Sequence, residues 1–311
     1  MLTNRDLIDI TDLTPAEIDM VLTTAKSFAE VNERDIKKLP TLRGRTVVNL
    51  FMEPSTRTRT SFEIAAKRLS ADAVNMTGSS SATVKGESLI DTAETLSAMA
   101  CDLIVVRHKY SGAARLLARH VDAHVVNGGD GMHQHPTQTL LDLYTMRERI
   151  GSLEGKVVGV VGDIAHSRVA GSLMPALASL GARVVAIAPP TMLPANPALL
   201  GAEVSHVLDE VLPELDVCYM LRVQGERAHG QAFPSVREYS RLFGLNGARV
   251  SRLKPEAIVM HPGPMNRGVE ISADAVADPR VVVLDQVNAG VAVRMAVMYV
   301  MLGGETGGVS A

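Results

Sequence analysis

The sequence predicts an α/β protein built from two doubly wound, parallel-sheet domains. Its 311 residues exceed the size at which one hydrophobic core usually stops growing. Short apolar runs typical of buried strands alternate with segments whose apolar residues recur at helical spacing, and this alternation indicates βαβ units. The alternation breaks at Gly151–Gly155 and then restarts. We therefore predict one domain over residues 1–150, a second over residues 151–286, and an active site in the cleft between them.

The first predicted domain has strands rich in β-branched and large apolar residues: Thr46–Met52, Ala73–Met76, Leu103–Arg107 and His124–Asn127. The predicted helices that follow these strands in turn are Arg57–Ala71, Glu87–Ala100, Gly112–Val121 and Thr139–Ile150. Another helix precedes the first strand, because Thr14-Pro-Ala-Glu17 is a capping box with proline at the first helical position.

The second predicted domain has strands at Val157–Val161, Arg183–Ala188, Val217–Leu221, Ala257–Met260 and Val281–Leu284. Its predicted helices are Val169–Leu180 and Ser235–Phe243. The last helix of the chain, Gly290–Leu302, is apolar on most sides and therefore needs a surface to cover it. We expect this helix, at about residues 287–303, to pack back on the first domain.

Composition argues against several classes of function. The 31 basic and 34 acidic side chains give a net charge of −3, which indicates neither a nucleic-acid partner nor an anionic membrane surface. The chain shows no N-terminal signal pattern and no apolar run near the ~18 residues that a membrane span needs. Cys101 and Cys218 match no zinc or CxxC spacing, so we expect core thiols in a reducing cytoplasm and no metal site.

The predicted site is organised around a stretch that follows the first strand. Ser55, Thr56, Arg57 and Thr58 lie where this strand turns into a helix, so backbone N–H groups and the positive end of the helix dipole point at one place. Hydroxyl donors and a guanidinium suit a tetrahedral dianion, since arginine can bind two phosphate oxygens at once. The structural alternative is an ordinary N-cap at Ser55 followed by a solvated arginine. The density of donors favours an anion site.

Further polar residues are predicted near the ends of other strands. Arg107 lies at the carboxyl end of a strand, where doubly wound folds place their ligands. His135-Pro-Thr-Gln138 opens a helix after a glycine-rich turn, and the alternative is a histidine that only caps the helix. Arg222 and Gln224 project on the same side of an extended segment, as a pair that binds one substrate must, unless they form a surface salt-bridge patch.

Two glycine-containing segments carry weaker signals. Gly159–Gly162 does not complete the G-x-G-x-x-G fingerprint and no Walker lysine is present, so no nucleotide cofactor is predicted. The small, polar segment Gly78–Gly86 carries one cation, Lys85. It is either a simple flexible loop or a lid that brings positive charge to an anionic ligand. His261-Pro-Gly-Pro264 lacks two N–H donors, which leaves carbonyls able to accept from a ligand NH₂ group.

Together these blocks resemble the aspartate and ornithine carbamoyltransferase family. Glu53-Pro-Ser-Thr-Arg-Thr-Arg59 after a strand is similar to the carbamoyl-phosphate signature of that family. Ser81-x-x-x-Lys85-Gly-Glu, His135-Pro-Thr-Gln138 and the arginine blocks of the second half follow in the family order, over roughly residues 5–302. The resemblance implies a two-domain carbamoyltransferase without a cofactor.

The resemblance also implies a role for each matching residue. Carbamoyl phosphate would be bound by Ser55, Thr56, Arg57, Thr58, Arg107, His135, Gln138 and the carbonyls of Gly263 and Pro264. The residues implied to act in catalysis are Thr58, Arg107, His135 and Lys85. The second substrate would be bound by Lys85, Arg168, Arg222 and Gln224.

The branch of the family follows from the second substrate. The ornithine branch has a cysteine in the block that here reads His261-Pro-Gly-Pro264, and an acidic residue for the ornithine ammonium. This chain has Arg168 and Arg222 instead, so we expect a dicarboxylate. The implied reaction gives N-carbamoyl-L-aspartate and phosphate from carbamoyl phosphate and L-aspartate, the committed step of pyrimidine (UMP) synthesis. Ornithine carbamoyl transfer and a catalytically inactive paralogue are the alternatives.

The resemblance further implies an assembly. In the family, a serine and a lysine at the positions of Ser81 and Lys85 reach into the active site of the neighbouring subunit. We therefore expect a homotrimer with shared active sites. Association with separate regulatory or dihydroorotase chains is left open by the sequence.

Overall fold

The computed structural model describes residues 2–77, 88–223 and 235–303. The chain divides into two compact units. The first unit comprises the chain up to Tyr144 together with the segment that starts at Val287, and the second is Thr145–Gln286. The boundary between the two units therefore lies a few residues before Gly151–Gly155, where the alternation of predicted strands and helices breaks.

A reciprocal cap fixes the start of the N-terminal helix α1, Pro15–Val31. The Thr14 hydroxyl accepts from the Glu17 N–H at 3.2 Å, and the Glu17 carboxylate accepts from the Thr14 N–H at 2.8 Å. The same carboxylate accepts from the Thr3 N–H at 2.6 Å. Because these backbone donors stabilise the ionised form, the pKa of Glu17 falls from 4.5 to about 2.

Glu17→Gln should therefore weaken the fold in a pH-dependent way. The pKa of Glu17 is lower in the folded chain than in the unfolded chain, so its contribution to stability is present above pH 4.5 and lost as the pH falls toward 2. Urea unfolding should give the variant a lower free energy of unfolding than wild type at pH 7, and the difference should shrink over that acidic range. Glu30→Gln, an exposed position in the same helix, is the control. If the two proteins differed in free energy of unfolding by the same amount at every pH, the lowered pKa of Glu17 would be contradicted.

The first unit is built on a parallel sheet of four strands within the described residues. The strands are β1 (Thr46–Phe51), β2 (Asp72–Thr77), β3 (Leu103–His108) and β4 (His124–Asp130), in the order β2-β1-β3-β4. Helices α2 (Thr56–Arg68), α3 (Leu89–Ala98), α4 (Ala113–Ala118) and α5 (Pro136–Ile150) follow the strands in turn. The chain runs outward from β1 to β2 and then returns to β3 on the other side of β1. The β1/β3 pair is therefore the topological switch point, beside which such sheets bind ligands.

Packing of apolar side chains explains this sheet. Strand β1 is central, and its side chains from Val47 to Phe51 are buried, as continuous apolar runs in parallel sheets require. One core cluster joins strand residues to helices α3 and α4: Val48, Leu50, Ile104, Val106, Val125, Ala93, Leu96 and Leu117. Phe62 and Ala65 of α2 are completely buried. Burial of this helix face fixes the direction in which the turn after β1 points.

The second unit contains a five-stranded parallel sheet within the described residues. Its strands are β5 (Val157–Val161), β6 (Arg183–Ile187), β7 (Ala202–Ser205), β8 (Val217–Met220) and β9 (Ile258–Met260), in the order β7-β6-β5-β8-β9. The helices are α6 (Arg168–Ser179), α7 (Leu208–Val211), α8 (Val236–Phe243), α9 (Gly247–Val250) and α10 (Ala273–Val276). By the same reasoning, β5 and β8 flank the switch point of this sheet.

Gly159 has a packing role in the middle of β5. A Cβ atom at this position would lie 2.8 Å from Leu215 Cδ1 and 3.1 Å from Ile187 Cδ1, so both side chains would have to shift to accept it. The glycine that resembled part of a nucleotide-binding loop is thus explained by its neighbours in the core.

The last helix begins earlier than the sequence predicts. Val281 makes only an isolated bridge to Val259, so the predicted strand Val281–Leu284 is wrong. Helix α11, Val283–Leu302, starts there because the Gln286 N–H already bonds to the Val282 carbonyl. Within the first unit α11 contacts α1, where the rings of Phe28 and Tyr299 meet edge to face at 5.7 Å. Strand β7 was not predicted, because it is a short edge strand with largely exposed residues.

The predicted fold class, two parallel-sheet α/β domains, is confirmed. Every pairing between the named strands is parallel in both sheets. Cys101 and Cys218 are buried free thiols as expected, and burial raises the pKa of Cys218 to about 12. None of the helices in the described parts of the chain combines the length and the apolar character needed to cross a membrane.

Candidate active site

The turn between β1 and α2 presents Ser55 in an unusual way. Ser55 occupies the N-cap position with extended backbone angles (φ −158°, ψ 103°), yet its hydroxyl makes no capping hydrogen bond. At four other helices the N-cap hydroxyl does accept from the helix backbone: Thr14, Ser88, Ser167 and Ser235. Ser55 therefore occupies the N-cap position without using its hydroxyl to cap the helix. A hydroxyl left out of the cap at a helix N-terminus suits an anion.

Arg107 lies directly beside this turn. It pairs with Phe51 in the β1–β3 ladder, and its carbonyl accepts from the Met52 N–H at 2.8 Å. The guanidinium is largely buried: Nη1 donates to the Gly128 carbonyl at 3.2 Å, and Nε lies 3.5 Å from Glu53 Oε2. These two contacts aim a positive charge at the carboxyl ends of β1 and β3. Thr58, in the first turn of α2, is buried.

A buried carboxylate shapes the turn that leads from β4 to His135. Asp130 accepts from Asn127 Nδ2 at 2.8 Å, from the Gly112 N–H at 2.7 Å and from the Gln134 N–H at 3.1 Å, and it lies 3.2 Å from His133 Nδ1. Burial opposes ionisation, but the hydrogen bonds outweigh it and hold the pKa of Asp130 below its ordinary value. The turn is thus fixed by charge-assisted hydrogen bonds.

The segment His135–Gln138 opens helix α5 at the same edge of the sheet. The His135 carbonyl accepts from the Gln138 and Thr139 N–H groups, so His135 has the backbone role of a helix cap while its side chain is buried. Gln138 Nε2 donates to Asp142 Oδ1 at 3.1 Å, one turn further along. The first unit therefore brings Ser55, Thr58, Arg107, His135 and Gln138 to the carboxyl ends of β1, β3 and β4.

In the second unit, Arg168 follows β5 as the first residue of α6 and is buried. The helix is capped by the Ser167 hydroxyl, which accepts from the Ala170 N–H at 3.2 Å. In the preceding turn, Asp163 Oδ1 lies 2.7 Å from His166 Nδ1, so a buried carboxylate holds an imidazole two residues before Arg168. The short connection from β5 to α6 therefore carries an arginine and a histidine.

Arg222 follows β8, the neighbour of β5 in the sheet. The next residue, Val223, donates its N–H to Glu270 Oε1 at 2.9 Å. Glu270 is completely buried and also accepts from the Asn266 N–H at 2.7 Å and from Asn266 Nδ2 at 2.8 Å. Burial raises the pKa of Glu270, although these hydrogen bonds oppose the change. Glu270 thus ties the Arg222 segment to the loop after β9.

That loop contains His261-Pro-Gly-Pro264. The His261 N–H donates to Gln286 Oε1 at 3.0 Å, and His261 Nδ1 accepts from the Gly263 N–H at 2.8 Å. Gly263 has a φ of +62°, which favours glycine. The carbonyls of Gly263 and Pro264 accept no hydrogen bond from the described residues. They are therefore available to a donor from a ligand, as the prolines of this block suggested.

Three of the predicted site residues lie outside the described residues: Ser81, Lys85 and Gln224. Their roles stay predictions. Among the residues that the structure describes, no group of histidine, cysteine, aspartate and glutamate side chains could hold a metal ion.

Comparison with known proteins decides the family. Residues 5–148 match the carbamoyl-P binding domain of aspartate/ornithine carbamoyltransferase, and residues 154–301 match the Asp/Orn binding domain of the same family. The chain belongs to the aspartate/ornithine carbamoyltransferase family. The match confirms the resemblance on which the site residues were assigned.

Individual members of this carbamoyltransferase family are similar over nearly the whole chain. The aspartate carbamoyltransferase catalytic subunit of Thermobifida fusca is 58% identical over 300 residues, which cover 96% of each protein. That of Desulforapulum autotrophicum is 53% identical over 97% of this chain and 96% of the relative. Among solved structures, the aspartate transcarbamoylase of Trypanosoma cruzi in complex with N-(phosphonacetyl)-L-aspartic acid superposes with a TM-score of 0.87 at 30% identity, covering 96% of each chain. The catalytic subunit of M. jannaschii aspartate transcarbamoylase gives 0.84 at 35% identity, covering 97% of this chain and 99% of the other.

Sequence reasoning about this carbamoyltransferase missed the acidic residues that orient the basic ones. Glu53 belongs to the signature itself, but its contact with Arg107 depends on strand order. Asp163 lies two residues after the end of β5, and this position could have signalled its role. Glu270 lies in a polar loop where no local pattern distinguishes it.

Proposed function

We propose that this chain transfers the carbamoyl group of carbamoyl phosphate to L-aspartate, giving N-carbamoyl-L-aspartate and phosphate, the committed step of pyrimidine synthesis. The observation that carries the proposal is the placement of its charges. Hydroxyls and arginines that suit a phosphate lie at the β1/β3 switch point, and two arginines that suit carboxylates lie at the β5/β8 switch point. The relatives named aspartate carbamoyltransferase support the choice of aspartate.

The first unit binds carbamoyl phosphate. Ser55, Thr56, Arg57 and the N-terminus of α2 hold the phosphate, with Arg107 beside them. The interactions that matter for rate are those that grow stronger as the phosphate leaves and its negative charge develops. Lys85 adds a positive charge from the neighbouring subunit.

The carbamoyl group is held by hydrogen-bond donors on its oxygen and hydrogen-bond acceptors on its NH₂ group. Thr58, Arg107 and His135 donate to the carbamoyl oxygen, on which negative charge builds up during attack. The amide oxygen of Gln138 and the carbonyls of Gly263 and Pro264 accept from the carbamoyl NH₂ group. Donors on the oxygen and acceptors on the nitrogen distinguish the two ends of the group.

The second unit binds L-aspartate. Arg168 and Arg222 bind its two carboxylates, supported by Gln224 and by Lys85 of the neighbouring subunit. The amine then attacks the carbamoyl carbon directly. A carbon–nitrogen bond forms, the carbon–oxygen bond to phosphate breaks, and the departing phosphate accepts the proton that the amine loses. No nucleophile from the enzyme is required.

A phosphate-release assay with two acceptors tests the proposal. Turnover of carbamoyl phosphate should require L-aspartate, and L-ornithine in parallel should give only the background rate, because an ammonium side chain would face Arg168 and Arg222. Turnover with ornithine would indicate the other branch of the family. No turnover with either acceptor, in a folded protein that binds carbamoyl phosphate, would indicate an inactive paralogue.

The order of binding follows from the charges of the two substrates. The aspartate site is expected to be completed by bound carbamoyl phosphate, so isothermal titration should show little affinity for aspartate alone. Affinity should increase at least about tenfold when a phosphonate analogue of carbamoyl phosphate is present, a coupling within the usual range between sites. Succinate, which lacks the attacking amine, serves as a non-reacting control ligand. Equal aspartate affinity with and without the analogue would contradict ordered binding.

The proposal extends to assembly and location. A homotrimer with Ser81 and Lys85 supplied by the neighbouring subunit fits the family resemblance, and the two buried free thiols fit a reducing cytoplasm. No cofactor is included, because acyl transfer from a phosphate anhydride to an amine needs none.

A further inference from the structure

The side chain of Gln138 is held by one specific neighbour. Its Nε2 donates to Asp142 Oδ1 at 3.1 Å, across one turn of α5. Asp142 is completely buried, whereas Gln138 is only partly buried. A buried carboxylate therefore stands behind a glutamine whose remaining surface is accessible.

The chemistry of a carboxylate fixes the orientation of this amide. An ionised carboxylate has no hydrogen to donate, so only the NH₂ end of the Gln138 amide can face Asp142. The amide oxygen must then point away from Asp142 and toward the accessible side. Gln138 is thus presented as an acceptor, although the glutamine side chain by itself can donate equally well.

A buried arginine of the first unit interacts electrostatically with Asp142. Arg294 of α11 is largely buried, with Nη1 donating to Ser61 Oγ at 2.8 Å and to the Gly290 carbonyl at 3.2 Å. Its guanidinium lies 5.0 Å from the centre of the Phe62 ring. Burial lowers the pKa of Arg294 to about 10, and the negative charge of Asp142 acts in the opposite direction. Arg294 therefore stays charged at neutral pH, and its interaction with Asp142 is attractive.

We propose that Asp142 and Arg294 are positioning residues that orient the Gln138 amide as an acceptor, and so select an acyl phosphate that carries an NH₂ group. The inference rests on the proposed function and deepens it. Acetyl phosphate has the same phosphate and carbonyl groups but a methyl group in place of the NH₂. The Gln138 contact therefore separates the two compounds, whereas the phosphate and oxyanion contacts do not.

Asp142→Asn is the decisive variant. Asparagine has nearly the same shape but can present either oxygen or NH₂, so the Gln138 amide is free to turn over and present a donor to the ligand. The KM for carbamoyl phosphate should rise about tenfold, the scale of one lost hydrogen bond. The inhibition constant of acetyl phosphate, measured in competition with carbamoyl phosphate, should change by less than about twofold.

A double-mutant cycle shows whether Asp142 acts through Gln138. Gln138→Met removes the acceptor and should reduce the preference for carbamoyl over acetyl phosphate to a similar extent. In the Gln138→Met background, Asp142→Asn should cause no further loss of preference. Asp102→Asn is the matched control, because Asp102 is a carboxylate of the first unit that lies 2.7 Å from Arg45 but stands at the amino end of β3. It should leave the preference unchanged.

Arg294 provides a second test, which stands if Asp142→Asn does not fold. Arg294→Met removes the positive charge that interacts with Asp142 and should reduce the preference for carbamoyl over acetyl phosphate, while Arg294→Lys should keep it. Equal weakening of both ligands in Asp142→Asn or Arg294→Met would overturn the proposal and leave these residues a structural role. Failure of the wild-type protein to bind carbamoyl phosphate would instead refute the proposed function.

Discussion

Arg57→Ala should lower kcat at least ~10²-fold, the scale observed when one preorganised donor to a developing charge is removed. Arg57 lies in the first turn of α2 and is exposed, so its removal opens no cavity in the core. In the proposed function its guanidinium binds two phosphate oxygens, and this contact strengthens as the carbon–oxygen bond breaks. Steady-state kinetics with saturating aspartate would measure the loss.

The matched control for this prediction is Arg59→Ala. Arg59 belongs to the same helix and to the same sequence motif, but it is half-buried and interacts electrostatically with Glu63. Its replacement should change kcat by less than about threefold, as for a surface charge. An unchanged kcat in folded Arg57→Ala would contradict the phosphate site. A rise in KM alone would mean that Arg57 binds the ground state and the transition state equally.

Mixing two inactive variants should restore activity if the site is shared between subunits. Arg57→Ala removes the pocket of each site, and Lys85→Ala removes the lysine that each subunit is proposed to lend to its neighbour. In any mixed cyclic trimer, one interface joins an intact Arg57 pocket to an intact Lys85, so activity should return to at most about one third of the wild-type value per mixed trimer. The measurement is carbamoyl-aspartate formation after gentle joint unfolding and reassociation.

As the control, each variant is unfolded and reassociated alone, and it should stay inactive. Exchange of subunits can be followed with a charge tag on one variant. If exchange is complete and no activity returns, Lys85 acts within its own chain and the proposal of shared sites fails.

The sequence predicted most of the fold because the relevant patterns are local. Strand β5 was predicted with the bounds it has, and β1 to within one residue, since continuous apolar runs identify buried parallel strands. Val281–Leu284 failed for a physical reason: only Val282 is buried, and the segment runs into the first turn of α11, where Leu284 is exposed. A four-residue window could not separate a strand from the start of a helix.

The basic residues of the proposed site were predicted from the sequence, and the acidic residues that contact them were not. Arg107 stands at a strand end and Arg57 in a motif, so sequence position alone suggested the roles proposed for them. Glu53 and Glu270 act through contacts with residues that become neighbours only after the chain folds. Asp142 contacts Gln138 one turn away in α5, but this spacing does not by itself show which end of the amide faces the carboxylate.

The most direct test of the account is to follow the bond that the enzyme is proposed to make. Carbamoyl phosphate labelled with a heavy carbon isotope and L-aspartate labelled with a heavy nitrogen isotope are mixed with the wild-type protein and observed by nuclear magnetic resonance. The expected result is a carbamoyl carbon signal split by one-bond coupling to the aspartate nitrogen, appearing at the rate at which phosphate is released. Phosphate release without that coupling, with the labelled carbon recovered as bicarbonate, would mean that the protein hydrolyses carbamoyl phosphate and does not transfer it to aspartate.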